Sequence, residues 1–241
     1  MKKNRVVGLI LSFVLLISIS FFYENFFSDI KDNKIVLRMV DPYVELDEDS
    51  GIDELLDIEQ EYHDNDIVGL LKINGAELYE PVVQYSDNDY YLSHDIYGNY
   101  DAYGTTFMDY RIDLESSKKI LIFGHNSSKR KTPFQELEKY YDKEYYDNHK
   151  YITLITENEV RTYEVFSVFV EVSDWSYMNL NFNNEGEYYN HLLKLKNKSF
   201  YDTGIDIRSE DEVMILQTCS YHKNYYEYSN KYLLIISRRV K

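Results

Sequence analysis

Residues 211–240 read DEVMILQTCSYHKNYYEYSNKYLLIISRRV. Two apolar runs, VMILQTC and YLLIISRRV, flank a polar, Tyr-rich connection at 220–230. Both runs have strand length and are rich in branched aliphatic residues, so the stretch predicts two strands, at 211–219 and 231–240. If they pair antiparallel around the connection, the start of the second lies beside Cys219. Arg238, six residues past Tyr232, then lies ~20 Å further along, near Val213.

The same pattern extends back through the chain. DIVGLLKI (66–73), the turn pair Asn74-Gly75 and AELYEPVVQ (76–84) predict a β-hairpin. KKILIFG (118–124) is a short buried strand. YITLIT (151–156) and VRTYEVFSVFVEV (160–172) form a second hairpin across Glu157-Asn158-Glu159. Three helices are predicted. GIDELLDIEQEYH (51–63) sets Ile52, Leu55, Leu56 and Ile58 near one face. TPFQELEKYYD (132–142) has Thr at the N-cap and Pro at the first helical position. NNEGEYYNHLLKLKNKS (183–199) is the third. Many strands with few, short helices predict a mainly-β domain, barrel or sandwich.

Composition agrees with a packed domain. The chain has 241 residues, 44% hydrophobic and 16% aromatic, with 26 Tyr, enough apolar material for a core. Lys2, Lys3 and Arg5 are the charges before Glu24, so the remainder carries 23 basic against 42 acidic residues, a net −19. So acidic a body repels phosphate backbones, which argues against nucleic acid as a partner.

Residues 6–22, VVGLILSFVLLISISFF, hold no charge and no proline. With Tyr23 the run reaches ~27 Å as a helix, near the thickness of a hydrocarbon core. Basic residues precede it and acidic sequence follows, so the N-terminus is expected in the cytoplasm and the body outside. A cleaved signal peptide is the alternative, but bulky Phe21 and Phe22 follow Ser18 and Ser20, and the run exceeds a usual signal core. The expected organisation is a basic tail (1–5), a transmembrane signal-anchor (6–23), a stalk with a helix (24–63) and a folded domain (64–241).

Cys219 is the sole cysteine, which excludes an intramolecular disulfide and thiolate zinc clusters. It ends a core strand, on a rigid support that opens toward a polar loop. That placement suits a nucleophile, and it equally suits a small buried hydrophobe. His125 likewise follows a buried strand and opens the polar run HNSSKRK. A thiol needs a base or cation beside it, and imidazole titrates in the right range. His63, His149 and His191 fall on helices or helix ends and read as solvated, while His222 is close to Cys219 in sequence. No His/Asp/Glu cluster has metal-ligand spacing, so neither metal nor cofactor is expected.

Taken in order, several motifs resemble those of class B sortases, membrane-anchored cysteine transpeptidases of the bacterial surface. The resemblance runs from about Asp66 to Val240. DIVGLLKINGAELYEPVVQ is similar to their opening hairpin, and DNDYYLSHDIYGNYDAYGTTFMDYR (87–111) to the segment ending in Gly-x-x-Phe-x-Asp-Tyr-Arg. FGHN (123–126) is similar to the catalytic-histidine motif and LQTC (216–219) to the nucleophile motif Thr-Leu-x-Thr-Cys. The helix at 183–199 resembles the one between the sixth and seventh strands.

The resemblance implies an eight-stranded β-barrel with peripheral helices. It implies that Cys219 attacks a Thr carbonyl in a C-terminal sorting signal, often Asn-Pro-x-Thr-Asn in this class, with His125 protonating the leaving amine. Thr218 and Asn126, within the two motifs, are expected near substrate. The partners implied are surface proteins bearing such a signal, a peptidoglycan cross-bridge amine or pilin lysine as acceptor, and the lipid bilayer.

Two positions depart from the pattern. Ile215-Leu216 stands where Thr-Leu is usual, with Gln217 in the middle position. The family also places an Arg at the start of the last strand, beside the Cys, where it steadies the substrate carbonyl. Here Tyr232 falls at that position, with Lys231 just before it. Lys231 can reach the Cys end as an electrostatic substitute, without the fork of an Arg. It also reads as a solvated lysine at a strand edge. Lys223, Lys129 and Arg130 are further cationic candidates. The missing Arg leaves two alternatives to a transpeptidase: a relative that binds sorting signals without turnover, or a hydrolytic cysteine peptidase.

Overall fold

The computed structural model describes residues 48–62 and 66–241. The expected basic tail, the apolar run 6–23, the first part of the stalk and His63 lie outside the described residues. Among the described residues no helix is long and apolar enough to cross a membrane.

Within the described residues eight strands follow one another: β1 (Ile67–Ile73), β2 (Tyr79–Val83), β3 (Phe107–Met108), β4 (Lys119–Phe123), β5 (Tyr151–Ile155), β6 (Val160–Glu171), β7 (Val213–Cys219) and β8 (Tyr232–Arg239). They close into a barrel in the order β1-β2-β3-β4-β7-β8-β6-β5. β2–β3 and β4–β7 are parallel pairs; the others are antiparallel. The predicted mainly-β barrel is therefore the observed architecture.

The barrel interior is built by alternation. Ile120 and Ile122 of β4, Met214 and Leu216 of β7, and Leu233 and Ile235 of β8 join one central apolar cluster. Intervening residues on the outer face, such as Leu121, Ile215, Leu234 and Ile236, are buried as well. That two-sided burial explains why these strands read as continuous apolar runs. The antiparallel β7–β8 register sets Val213 opposite Arg238 and Cys219 opposite Tyr232, as the sequence predicts.

Among the described residues three α-helices lie outside the barrel strands: α1 (Glu48–Tyr62), α2 (Lys143–Asn148) and α3 (Glu185–Asn197). In α3, Asn184 caps the first turn through its side chain, and Tyr188, His191, Leu192 and Leu195 bury one helical stripe. The predicted helix at 132–142 is instead a 3₁₀ helix, Pro133–Tyr141, and Thr132 makes no capping bond through its side chain. Its Phe134, Leu137 and Tyr140 join the central cluster, so tertiary packing sets its geometry.

Candidate active site

The site is built where β4 and β7 end side by side. Their parallel register runs from Lys119↔Val213 to Phe123↔Gln217. It continues past the strand ends, since the Gly124 N–H donates to the Gln217 carbonyl at 3.1 Å. Two further steps along that register, if continued, bring the chain at His125 toward Cys219. Both residues fall on the outer face, in alternation with the inward-facing Ile122 and Leu216.

Two side chains lock this juxtaposition. The Thr218 hydroxyl donates to the Gly124 carbonyl at 2.7 Å, and the Asn126 amide donates to the Cys219 carbonyl at 2.9 Å. Both side chains are buried. Thr218 and Asn126, expected near substrate, here join the segment of His125 to the cysteine strand. Gly124 is required beneath them, because a Cβ there would lie 2.6 Å from the ring of buried Phe134.

His125 is oriented by a loop that the motif reading did not connect to it. Its Nε2 lies 2.9 Å from the Leu92 carbonyl. A carbonyl only accepts, so Nε2 carries the hydrogen and Nδ1 is left to exchange a proton. Leu92 ends a 3₁₀ helix, Tyr90–Leu92. The Arg130 guanidinium pairs with Asp101 at 2.7 Å and lies over the Tyr103 ring, which fastens the segment after His125 to the same loop. Burial pushes the Asp101 carboxyl up, but the Tyr103 N–H, Arg130 and His125 outweigh it and hold the carboxyl below its ordinary value. Arg130 is therefore a clamp and not a cation facing Cys219.

Cys219 is exposed at the end of β7. Burial of its thiol nonetheless pushes the pKa above the ordinary value, and the Lys231 charge pulls the other way. Burial thus outweighs the Lys231 charge and favours the protonated sulfur. Lys231 sits beside the cysteine, where its carbonyl accepts from the Ser220 N–H at 3.0 Å. Its ammonium donates to the Tyr228 carbonyl at 2.8 Å. Arg238 is engaged with Glu164, and Arg239 with Glu159 and Glu212, at the other end of the strand. His222 caps the 3₁₀ turn Lys223–Tyr225 in the connecting loop.

Of the histidines expected on the surface, His191 is misplaced by that reading. It is buried on α3, with Nε2 2.9 Å from the Lys119 ammonium. Lys119 also donates to the carbonyls of Tyr177 and Asn179. Residues 175, 177 and 232 complete the surroundings of the cysteine strand: Tyr177 donates to Gln217 at 2.6 Å, and Trp175 packs edge-on to Tyr232. A cleft of about 660 Å³, lined in part by Arg111, Lys118, Lys119 and Tyr188, opens at the opposite end of β4 and includes neither Cys219 nor His125. No group of three or more metal-ligating side chains is present among the described residues.

The Sortase domain family model matches residues 71–238, which contain the whole of this site. The chain belongs to the sortase family. Its likeness is to class B: it is 33% identical over 177 residues to Sortase B of Listeria monocytogenes, covering 72% of this chain and 70% of that one. The barrel superposes on Sortase B of Clostridium perfringens with a TM-score of 0.69 and 27% identity, covering 76% of this chain and 100% of that one. A Staphylococcus aureus sortase B–substrate complex aligns with a TM-score of 0.68 and 25% identity, over 79% and 92% of the two chains. As a class B sortase, the protein is a cysteine transpeptidase, and Cys219 is its single cysteine.

Proposed function

We propose that this sortase is a membrane-anchored enzyme that joins surface proteins to a cell-surface amine. Its substrate carries a C-terminal sorting signal of the Asn-Pro-x-Thr-Asn type. The thiol proton of Cys219 passes to His125 as the sulfur bonds to the Thr carbonyl carbon. The C–N bond after Thr then breaks, and His125 returns the proton to the departing amine. The resulting thioester keeps the acyl group activated. An incoming amine, from a peptidoglycan cross-bridge or a pilin lysine, attacks it, loses a proton to His125 and releases the thiol. Lys231 contributes positive charge beside the reacting sulfur.

The observation that carries this reading is the parallel β4–β7 pairing up to Phe123↔Gln217, with the bonds from Asn126 and Thr218 that join the segments of His125 and Cys219. The apolar run at 6–23 supports anchoring, with the catalytic domain outside the membrane. Tethering enzyme and substrate to one bilayer raises their effective concentration.

Product analysis tests the proposal. The soluble domain is incubated with a sorting-signal peptide, with and without an amine acceptor. An amide product that requires both the acceptor and Cys219 is expected. A carboxylic-acid product with or without acceptor would instead identify a hydrolase. The presence of Tyr232 where the family carries Arg favours one second reading, a protein that binds the signal without turnover. Tight peptide binding with no product would identify that case.

A further inference from the structure

The strand opposite the nucleophile carries an unused hydrogen-bond donor. Cys219 and Tyr232 are direct partners on the antiparallel β7–β8 ladder, so their side chains leave on the same face. Such pairs have Cβ atoms ~4.5–5.5 Å apart. A phenol extends several ångströms beyond its Cβ, so from this position its hydroxyl is within reach of a group bound to the Cys219 sulfur.

Two more deeply buried tyrosines nearby have partners. Tyr141 bonds with Ser220 at 2.6 Å, and Tyr177 donates to Gln217 at 2.6 Å. The Tyr232 hydroxyl makes no hydrogen bond among the described residues. Its ring is nonetheless fixed in direction: Trp175 packs against it, with centroids 5.5 Å apart at 66°. A positioned ring with an unengaged hydroxyl beside a nucleophile is a preorganised donor.

The arginines of β8 do not fill this role. The Lys231 ammonium is held on the Tyr228 carbonyl, and Arg238 and Arg239 are ion-paired at the far end of β8. We propose that the Tyr232 hydroxyl donates the hydrogen bond that stabilises the oxyanion formed when Cys219 attacks the substrate carbonyl. This rests on the transpeptidase reading and assigns its oxyanion donor. When the sulfur–carbon bond forms, the carbonyl π-electrons move to oxygen. The phenol proton stays on Tyr232 and bridges to that oxygen until the amine departs and the carbonyl reforms. Burial and the neighbouring cysteine raise the Tyr232 pKa, so the group remains a donor through the neutral range. Lys231 then acts by charge on the sulfur, and Tyr232 by contact with the substrate oxygen.

The two roles separate experimentally. Acylation of Cys219 by Asn-Pro-x-Thr-Asn peptides is followed beside alkylation by iodoacetamide, a displacement at saturated carbon that develops no oxyanion. Tyr232→Phe keeps the ring and its contact with Trp175. It is expected to slow acylation at saturating peptide by about 10- to 100-fold, with KM little changed and alkylation within about twofold of wild type. Lys231→Met is expected to slow acylation and alkylation by the same factor. Wild-type acylation rates in Tyr232→Phe would overturn the inference, as would equal loss of both reactions. A wild-type protein that alkylates but accepts no sorting peptide would instead sink the transpeptidase reading, and the inference with it.

Discussion

The side-chain amide of Asn126 donates to the main-chain carbonyl of Cys219 at 2.9 Å, so the residue after His125 holds the backbone of Cys219. The bond links two strand ends that are 93 residues apart in sequence. It is buried, and little of the side chain meets solvent.

Asn126→Ala leaves that carbonyl without its side-chain donor. A loss of about 1–2 kcal/mol in unfolding free energy is expected by denaturant titration. Acyl transfer is expected to fall by more than the unfolded fraction accounts for, because the spacing of His125 and Cys219 loosens. Unchanged turnover in a folded Asn126→Ala protein would show that the bond is not needed for alignment.

Gly124 precedes His125 for a steric reason. A Cβ at this position meets three atoms of the Phe134 ring at 2.6–2.9 Å, and Phe134 is fully buried in the core. Gly124→Ala is expected to cost about 1–3 kcal/mol by calorimetry and to displace His125. Pairing it with Phe134→Leu, which shortens the obstructing side chain, is expected to be less destabilising than the two separate effects added together.

The thiol's pH dependence follows from two opposing groups. Burial raises the Cys219 pKa and Lys231 lowers it, with burial the larger. Alkylation of the free enzyme should therefore rise with pH to a midpoint above the ordinary thiol value. Lys231→Met removes the charge that favours thiolate, so the midpoint moves further up and the rate at pH 7 falls by about 2- to 5-fold. A midpoint below the ordinary value would contradict this ordering.

His191 is an acid-sensitive point in the fold. Burial and the Lys119 charge hold its pKa down at about 3, against 6.5 when free. Between those values the unfolded chain binds a proton that the folded chain refuses, so stability falls as pH drops through this window. His191→Gln keeps an acceptor for Lys119 and removes the titration. Its melting temperature is expected to fall less than that of wild type between pH 6.5 and 3, by thermal scans.

Local chemistry was legible where it was self-contained. Asn74-Gly75 marks the first hairpin, and Gly75 adopts a φ of +82° in its turn. The apolar runs of β7 and β8 fix their register, including Arg238 opposite Val213. Cys219 and His125 stand out in the sequence because one ends a core strand and the other closely follows one, and because LQTC and FGHN resemble sortase motifs. What escaped depends on contacts between distant segments. β3 is two residues long and shows no period. His191 looks solvated on a helix until Lys119, 72 residues away, is brought against it. Thr218 and Asn126 lie in motifs at the site, but only the neighbouring strand shows that their polar atoms face backbone carbonyls. The loop through Leu92 carried no sign that it would orient His125.

The most direct test of the central claim is intact-mass analysis of the soluble domain, residues 27–241, after brief exposure to an Asn-Pro-x-Thr-Asn peptide. The account predicts a covalent adduct equal in mass to the acyl portion ending at Thr, located on Cys219 and discharged by an added amine. No adduct across a panel of such signals, with Cys219 still open to iodoacetamide, would contradict it.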